Sequence, residues 1–60
     1  MRDPGRISII IEKLEELWEE YPDLRLGQLI YFISNGKEDI FYMEDDKWLD
    51  KINNLLKKVK

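Results

Sequence analysis

"LIYFISNGKEDIFYM", residues 29–43, decides the fold because it is compatible with two different structures. Two apolar, aromatic-rich runs flank Asn35-Gly36, and this dipeptide between such runs is a strong signal for a β-hairpin. The preceding "PDLRLGQLI" (22–30) has leucines at helical spacing, so Gly36 would instead end a helix as its left-handed cap. Residues 29–33 are continuously apolar, which suits a strand only if both faces are covered. Sixty residues can hardly cover both faces of a two-stranded sheet, so a helix is favoured.

The N-terminal third of the chain has clear helix borders. Asp3 places a carboxylate before Pro4, which suits the first helical position because its missing N–H is not needed there. Pro22 ends the helix, because the residue before a proline is pushed out of the α region. The spacing predicts a helix over about 4–20. Its apolar stripe consists of Ile7, Ile10, Ile11, Leu14, Leu17, Trp18 and Tyr21.

Two further helices are predicted. Asp23 is expected to cap the second, at about 24–35, with Gly27 placed where another helix could approach closely. "IFYM" (40–43) is expected to lead into the third, at about 44–58, and to place aromatic rings on the core. Acidic residues begin this third helix and lysines end it, as the helix dipole favours. The two core faces are Leu26, Leu29, Ile30 and Ile33, and then Trp48, Leu49, Ile52, Leu55, Leu56 and Val59.

Three helices with short connections predict an all-α, up-down-up bundle that forms one domain over residues 1–60. The first and third helices then run parallel, which brings charges of opposite sign together at both ends. Arg2 and Arg6 would lie near residues 44–46, and Glu16, Glu19 and Glu20 would lie near Lys57, Lys58 and Lys60. Exposed pairs of this kind contribute only about 0–1 kcal/mol, so they indicate arrangement more than stability.

The composition argues against an enzyme. The chain has no histidine and no cysteine, so the commonest general base and the thiolate nucleophile are both missing. Glu44, Asp45, Asp46 and Asp50 form a carboxylate cluster that could attract a divalent cation, but the spacing and glycine of an EF-hand are absent. Three of the four open the third helix, where carboxylates are stabilising, so a capping role is favoured. No metal, cofactor or small-molecule substrate is therefore expected.

The charge and hydropathy pattern also limits the partners. A net charge of −3 argues against nucleic-acid binding, which needs clustered Lys and Arg. The longest uncharged stretch, residues 26–36, is far shorter than the ~20 apolar residues that cross a bilayer. Together with the lack of cysteine and of a signal-peptide pattern, this predicts a cytoplasmic protein.

Three segments carry a resemblance to known proteins. "MRDPGRI" (1–7), "YPDLRLGQLI" (21–30) and "DIFYMEDDKW" (39–48) resemble a group of short bacterial and phage proteins of unknown function. The shared pattern is DPxRI, then PDLRxGQL, then DxFYxEDD. The group implies a compact helical domain, and no activity is associated with it. Tyr31 and Phe32 depart from the group, which is richer in alanine and asparagine after "QLI".

The aromatic residues predict a contact surface. Trp18 and Trp48 lie on the core stripes, whereas helical phase turns Tyr31 outward with Gln28 and places Phe32 at the edge. Tyr42 is expected to lay its ring on the core with its hydroxyl near the same surface. Exposed apolar patches mark interaction sites, and Tyr and Phe suit interface anchors. Gln28, Tyr31, Phe32 and Tyr42 are therefore predicted to bind a partner.

The acidic face of the first helix has two interpretations. Glu16, Glu19 and Glu20 could form a patch for a basic partner, together with Glu12 and Glu15. Alternatively, they form a solvated face balanced by Arg25 and the lysines of the third helix. The leading hypothesis is a non-enzymatic protein-interaction module, such as a phage or prophage inhibitor or adaptor. The alternative is a self-associating, homodimeric structural or regulatory protein, since small domains often gain stability in this way.

Overall fold

The computed structural model describes residues 3–36 and 40–59, and it contains three helices. They are α1 (Gly5–Glu20), α2 (Leu26–Ser34) and α3 (Asp45–Val59), and no strand occurs among these described residues. Arg6 Nε, in the first turn of α1, donates to Asp45 Oδ2 at the start of α3, so these two helices run parallel. The all-α, up-down-up bundle is confirmed.

The ends of α1 follow the predicted signals to within one residue. The Asp3 carboxylate accepts a hydrogen bond from the Gly5 N–H at 3.0 Å, and this satisfies one of the donors that the helix start leaves open. At the other end, Tyr21 has φ −132° and ψ 63°, which is not helical. This position directly precedes Pro22, whose ring disfavours the α conformation in the residue before it.

The start of α2 differs from the prediction, because Arg25 and not Asp23 precedes the helix. The indole Nε1–H of Trp18 donates to the Leu24 carbonyl at 2.8 Å. This hydrogen bond holds residues 21–24, in the α1–α2 connection, in a turn. The helix then begins at Leu26, and the Gln28 side-chain oxygen accepts the Arg25 N–H at 2.8 Å. The hydrogen bond from Trp18 therefore holds residues up to Leu24 in the turn, and the helix starts after Arg25 although Asp23 is the better capping residue.

Asn35 and Gly36 end α2, and this excludes the hairpin at the turn itself. Both residues have positive φ, 67° and 70°, which is the conformation that a tight hairpin turn would also require. Here the Ser34 hydroxyl donates to the Tyr31 carbonyl at 2.8 Å and accepts the Gly36 N–H at 3.2 Å. Ser34 is 1% exposed, and its buried hydroxyl is itself satisfied by these two backbone groups at the helix end.

The core is small and is centred on α3. Ile52 and Leu56 of α3 pack with Leu17 of α1 and with Leu29 and Ile33 of α2, and all five side chains are buried. Trp18 and Trp48 are partly buried against this cluster, which agrees with their predicted place on the core stripes. α3 packs against both other helices, whereas α1 and α2 make the least contact with each other.

Three residues of the predicted core stripes are instead exposed. Ile7, Ile11 and Leu26 are 55%, 57% and 54% exposed. For Ile7 and Ile11 on α1 the reason is helix length: α2 has nine residues and α1 has sixteen, which at 1.5 Å per residue gives about 13 Å against about 24 Å. A helix so short cannot cover the N-terminal half of its neighbour. The apolar stripe of α1 is therefore longer than the surface available to bury it.

The two glycines of α2 and its end have different roles. Gly27 was expected to allow close helix packing, but a Cβ added there would meet nothing within 4 Å, so this expectation is wrong. At Gly36, an added Cβ would lie 2.7 Å from the Tyr31 ring. Gly36 is thus favoured by its positive φ, whereas the exposed Tyr31 ring could move to make room; neither reason applies to Gly27.

The first prediction compares these two glycines. Gly36→Ala should lower the free energy of unfolding by about 1–2 kcal/mol, because alanine is strained in the left-handed region. Gly27→Ala should raise it by about 0.5–1 kcal/mol, because alanine favours the helix. Urea unfolding followed by circular dichroism measures both. Equal stability of the two variants would show that α2 does not end in this conformation in solution.

The second prediction concerns the ring contact between α1 and α2. Tyr21 and Phe32 meet edge to face with ring centroids 5.2 Å apart. A double-mutant cycle with Tyr21→Leu and Phe32→Leu should give a coupling energy of about 0.5–1.5 kcal/mol. The matched control pairs Tyr21→Leu with Tyr31→Leu, on the exposed side of α2, and should be additive to within about 0.5 kcal/mol. Coupling of the same size in both cycles would contradict the packing described.

Candidate functional site

The two most exposed apolar residues, Phe41 and Tyr42, are neighbours just before α3 and follow the exposed Ile40. Ile40, Phe41 and Tyr42, here called the aromatic segment, are 49%, 82% and 74% exposed. The Phe41 and Tyr42 rings stack edge to face with centroids 4.9 Å apart, so they form one apolar unit. Burying such rings in a partner would remove a large apolar area from water, which is the main favourable term in protein association.

This segment corrects the prediction that "IFYM" places its aromatic rings on the core. Tyr42 was expected to lay its ring inside, and it is instead exposed; of the four residues only Met43 is half-buried. The core at this part of α3 is already covered by Trp48, which packs against the buried cluster. The sequence already indicates that part of this segment is exposed, because four consecutive apolar residues cannot all face one small core.

Tyr31 lies at the other end of the α2–α3 connection and is 68% exposed, as predicted. Its ring rests against the backbone of Gly36, the residue that ends the helix. Along the chain, Tyr31 precedes and the aromatic segment follows residues 37–39, which lie outside the described residues.

Two of the residues predicted to bind a partner have structural roles. Phe32 is 37% exposed and packs its ring against Tyr21, so it helps to hold α2 to α1. Gln28 is exposed, but its side chain accepts the backbone N–H of Arg25 and caps α2. Both residues lie at the surface of α2, and each already makes a contact within the domain.

The predicted acidic patch is divided between two sides of α1. Glu16 forms an ion pair with Lys13, with Nζ and Oε1 3.4 Å apart, and shares a recess with Lys57 of α3. Glu19 lies on the other side, beside Trp18, and Glu20 is exposed. The expected approach to the lysines of α3 is thus seen for Glu16. Arg2 and Lys60, which were expected to take part in these end contacts, lie outside the described residues.

The acidic start of α3 lines a recess of about 630 Å³ together with Arg6. The Arg6 guanidinium forms an ion pair with the Asp45 carboxylate there, and a carboxylate paired in this way is less available to a metal cation. Within residues 3–36 and 40–59, no group of three or more acidic side chains is arranged to hold a metal ion. In the same part of the chain, no helix combines the length and apolar character needed to cross a membrane.

Comparison with known proteins gives no relative. No protein family model, no curated protein and no solved structure matches this chain. The resemblance to short bacterial and phage proteins therefore stays an expectation. What the chain binds is inferred from its own exposed surfaces, and the aromatic segment holds the two most exposed large apolar side chains of the described residues, Phe41 and Tyr42.

Proposed function

We propose that this chain is a non-enzymatic protein-interaction module whose contact surface is the aromatic segment, extended by Tyr31. The observation that carries the proposal is the exposure of Phe41 and Tyr42, at 82% and 74%. Side chains of this size are normally buried in a core or in an interface. Aromatic residues are also the ones that dominate binding energy at interfaces.

Self-association through the same aromatic segment is the second candidate. The small size of the chain supports it, because domains below about 70 residues often gain stability by forming oligomers. In a symmetric dimer the same patch would face itself, and Phe41 and Tyr42 would pack against their counterparts. The dependence of molecular mass on concentration distinguishes this candidate from a foreign partner.

The biological setting is proposed from the resemblance and from the composition of the chain. The resemblance to short phage and bacterial proteins supports an inhibitor or adaptor that covers a surface of a larger protein. The lack of cysteine supports a reducing compartment such as the cytosol. Net acidity supports a protein partner over nucleic acid.

The third prediction tests the aromatic segment. The double variant Phe41→Ala with Tyr42→Ala should weaken association at least tenfold, because truncating central interface aromatics costs about 2 kcal/mol or more. Its free energy of unfolding should change by about 0.5 kcal/mol or less per residue, since both side chains are exposed. Sedimentation equilibrium measures self-association, and retention of one identified protein from a bacterial lysate measures a foreign partner.

Two controls frame this result. Ile9→Ala removes an equally apolar residue, 50% exposed on α1, and should leave association unchanged. Leu29→Ala, at a fully buried position, should destabilise the fold by about 2–5 kcal/mol. If the double variant unfolds as readily as Leu29→Ala, the segment belongs to the core. If it associates as the wild type does, the surface is misplaced.

A further inference from the structure

One face of α1 remains uncovered along most of its length. Ile7, Ile11, Leu14 and Trp18 follow one another at intervals of four, three and four residues, which places them on one stripe of the helix. Ile7 and Ile11 are more than half exposed, and Leu14 and Trp18 are half-buried. Ile7 and Ile11 lie on the part of α1 that the short α2 does not reach, and Leu14 and Trp18 border the core.

The C-terminal part of this stripe forms an open groove of about 620 Å³. Ile11, Leu14, Trp18 and Pro22 supply its apolar lining, and Glu15 and Glu19 complete it. The Trp18 indole is held in place by its hydrogen bond to the Leu24 carbonyl. One wall of the groove is therefore fixed before any partner binds, which reduces the ordering cost of binding.

The groove has a rim of one charge. Glu15 and Glu19 make no ion pair within the part of the chain that the structure describes, and Glu12 continues their row at helical spacing. Lys13 is directed to Glu16, on the side of α1 that faces α3. The rim therefore attracts positive charge, and the groove beside it attracts apolar side chains.

This charge pattern selects among possible occupants. A second copy docked through the same groove would place Glu15 and Glu19 against an identical acidic row, because a symmetric interface brings one patch against itself. Like charges across an interface are unfavourable and exclude wrong partners. An occupant with basic residues beside its apolar residues would complement both features.

We propose that this groove docks one basic amphipathic α-helix of a protein partner. Apolar side chains of the partner at helical spacing would enter between Ile11, Leu14 and Trp18, while its Lys or Arg residues would pair with Glu15 and Glu19. From Ile7 to Trp18 the stripe spans about 16 Å, or about three turns of a partner helix. The proposal rests on the chain being an interaction module, but it uses a surface separate from the aromatic segment.

The test uses two synthetic fourteen-residue amphipathic peptides with the same leucine pattern, one with lysine and one with glutamate at the polar positions. Trp48→Phe leaves Trp18 as the only tryptophan, so its fluorescence reports on the groove. The lysine peptide should bind one to one and shift the Trp18 emission to shorter wavelength, and the glutamate peptide should not bind. Calorimetry with the wild-type chain gives the same stoichiometry without the substitution.

Matched variants locate the binding. Ile11→Ser should weaken binding of the lysine peptide at least tenfold. Ile9→Ser, at a similarly exposed isoleucine elsewhere on α1, should leave the binding unchanged. The double variant Glu15→Gln with Glu19→Gln should weaken binding of the lysine peptide about three- to tenfold, and added salt should make this difference smaller. The double variant Glu16→Gln with Glu20→Gln should leave the binding unchanged. Circular dichroism verifies that each variant is folded.

The proposal would be overturned by equal binding of both peptides, by binding of neither, by equal loss in the two isoleucine variants, or by a dimer abolished by Ile11→Ser, which would assign the groove to a second copy. The double variant Phe41→Ala with Tyr42→Ala should bind the lysine peptide as the wild type does. Loss of binding in that variant would place the peptide on the aromatic segment instead. Failure of the groove and failure of the aromatic segment are thus distinguished.

Discussion

Burial of five aliphatic side chains along α3 holds the three helices together. Leu17 from α1, and Leu29 and Ile33 from α2, are buried with Ile52 and Leu56 of α3. Each fully buried aliphatic residue contributes about 1.5–3 kcal/mol of hydrophobic free energy. In a 60-residue domain, which buries only about 60% of its unfolded surface, few further side chains can join such a core. α1 and α2 are consequently attached to α3 more than to each other.

The exposed surfaces follow from this arrangement. α2 is about half the length of α1, so it closes the C-terminal part of the bundle through the Tyr21–Phe32 contact and leaves Ile7 and Ile11 exposed. At the other connection, α3 begins at the Arg6–Asp45 ion pair, and the aromatic segment before it lies on the surface. A core too small for the apolar content of the chain thus leaves two apolar surfaces in different places.

Acidic residues at the end of α1 lie beside one of these exposed apolar surfaces. Glu19 and Glu20 occupy the last turn of a helix, where negative charge is unfavourable to the dipole, and no basic residue stands in that turn. Glu16 is compensated by Lys13, whereas Glu19 borders the groove without an ion pair among the described residues. A local rule of helix design is therefore broken next to an uncovered apolar groove. Such a conflict is expected where a partner binds.

The sequence by itself determined the helices and their order, because hydrophobic period, proline and capping residues act over a few neighbouring positions. Asp3, Pro22 and Gly36 marked helix ends to within one or two residues, and the opposite charges of Arg6 and Asp45 indicated the parallel α1–α3 pair. Only the tertiary structure decided which apolar residues are buried. Ile11 and Tyr42 each have a suitable local pattern, and both are exposed. Burial depends on whether a second helix is long enough to reach the site and whether the core still has room, and neither quantity is encoded in a local pattern.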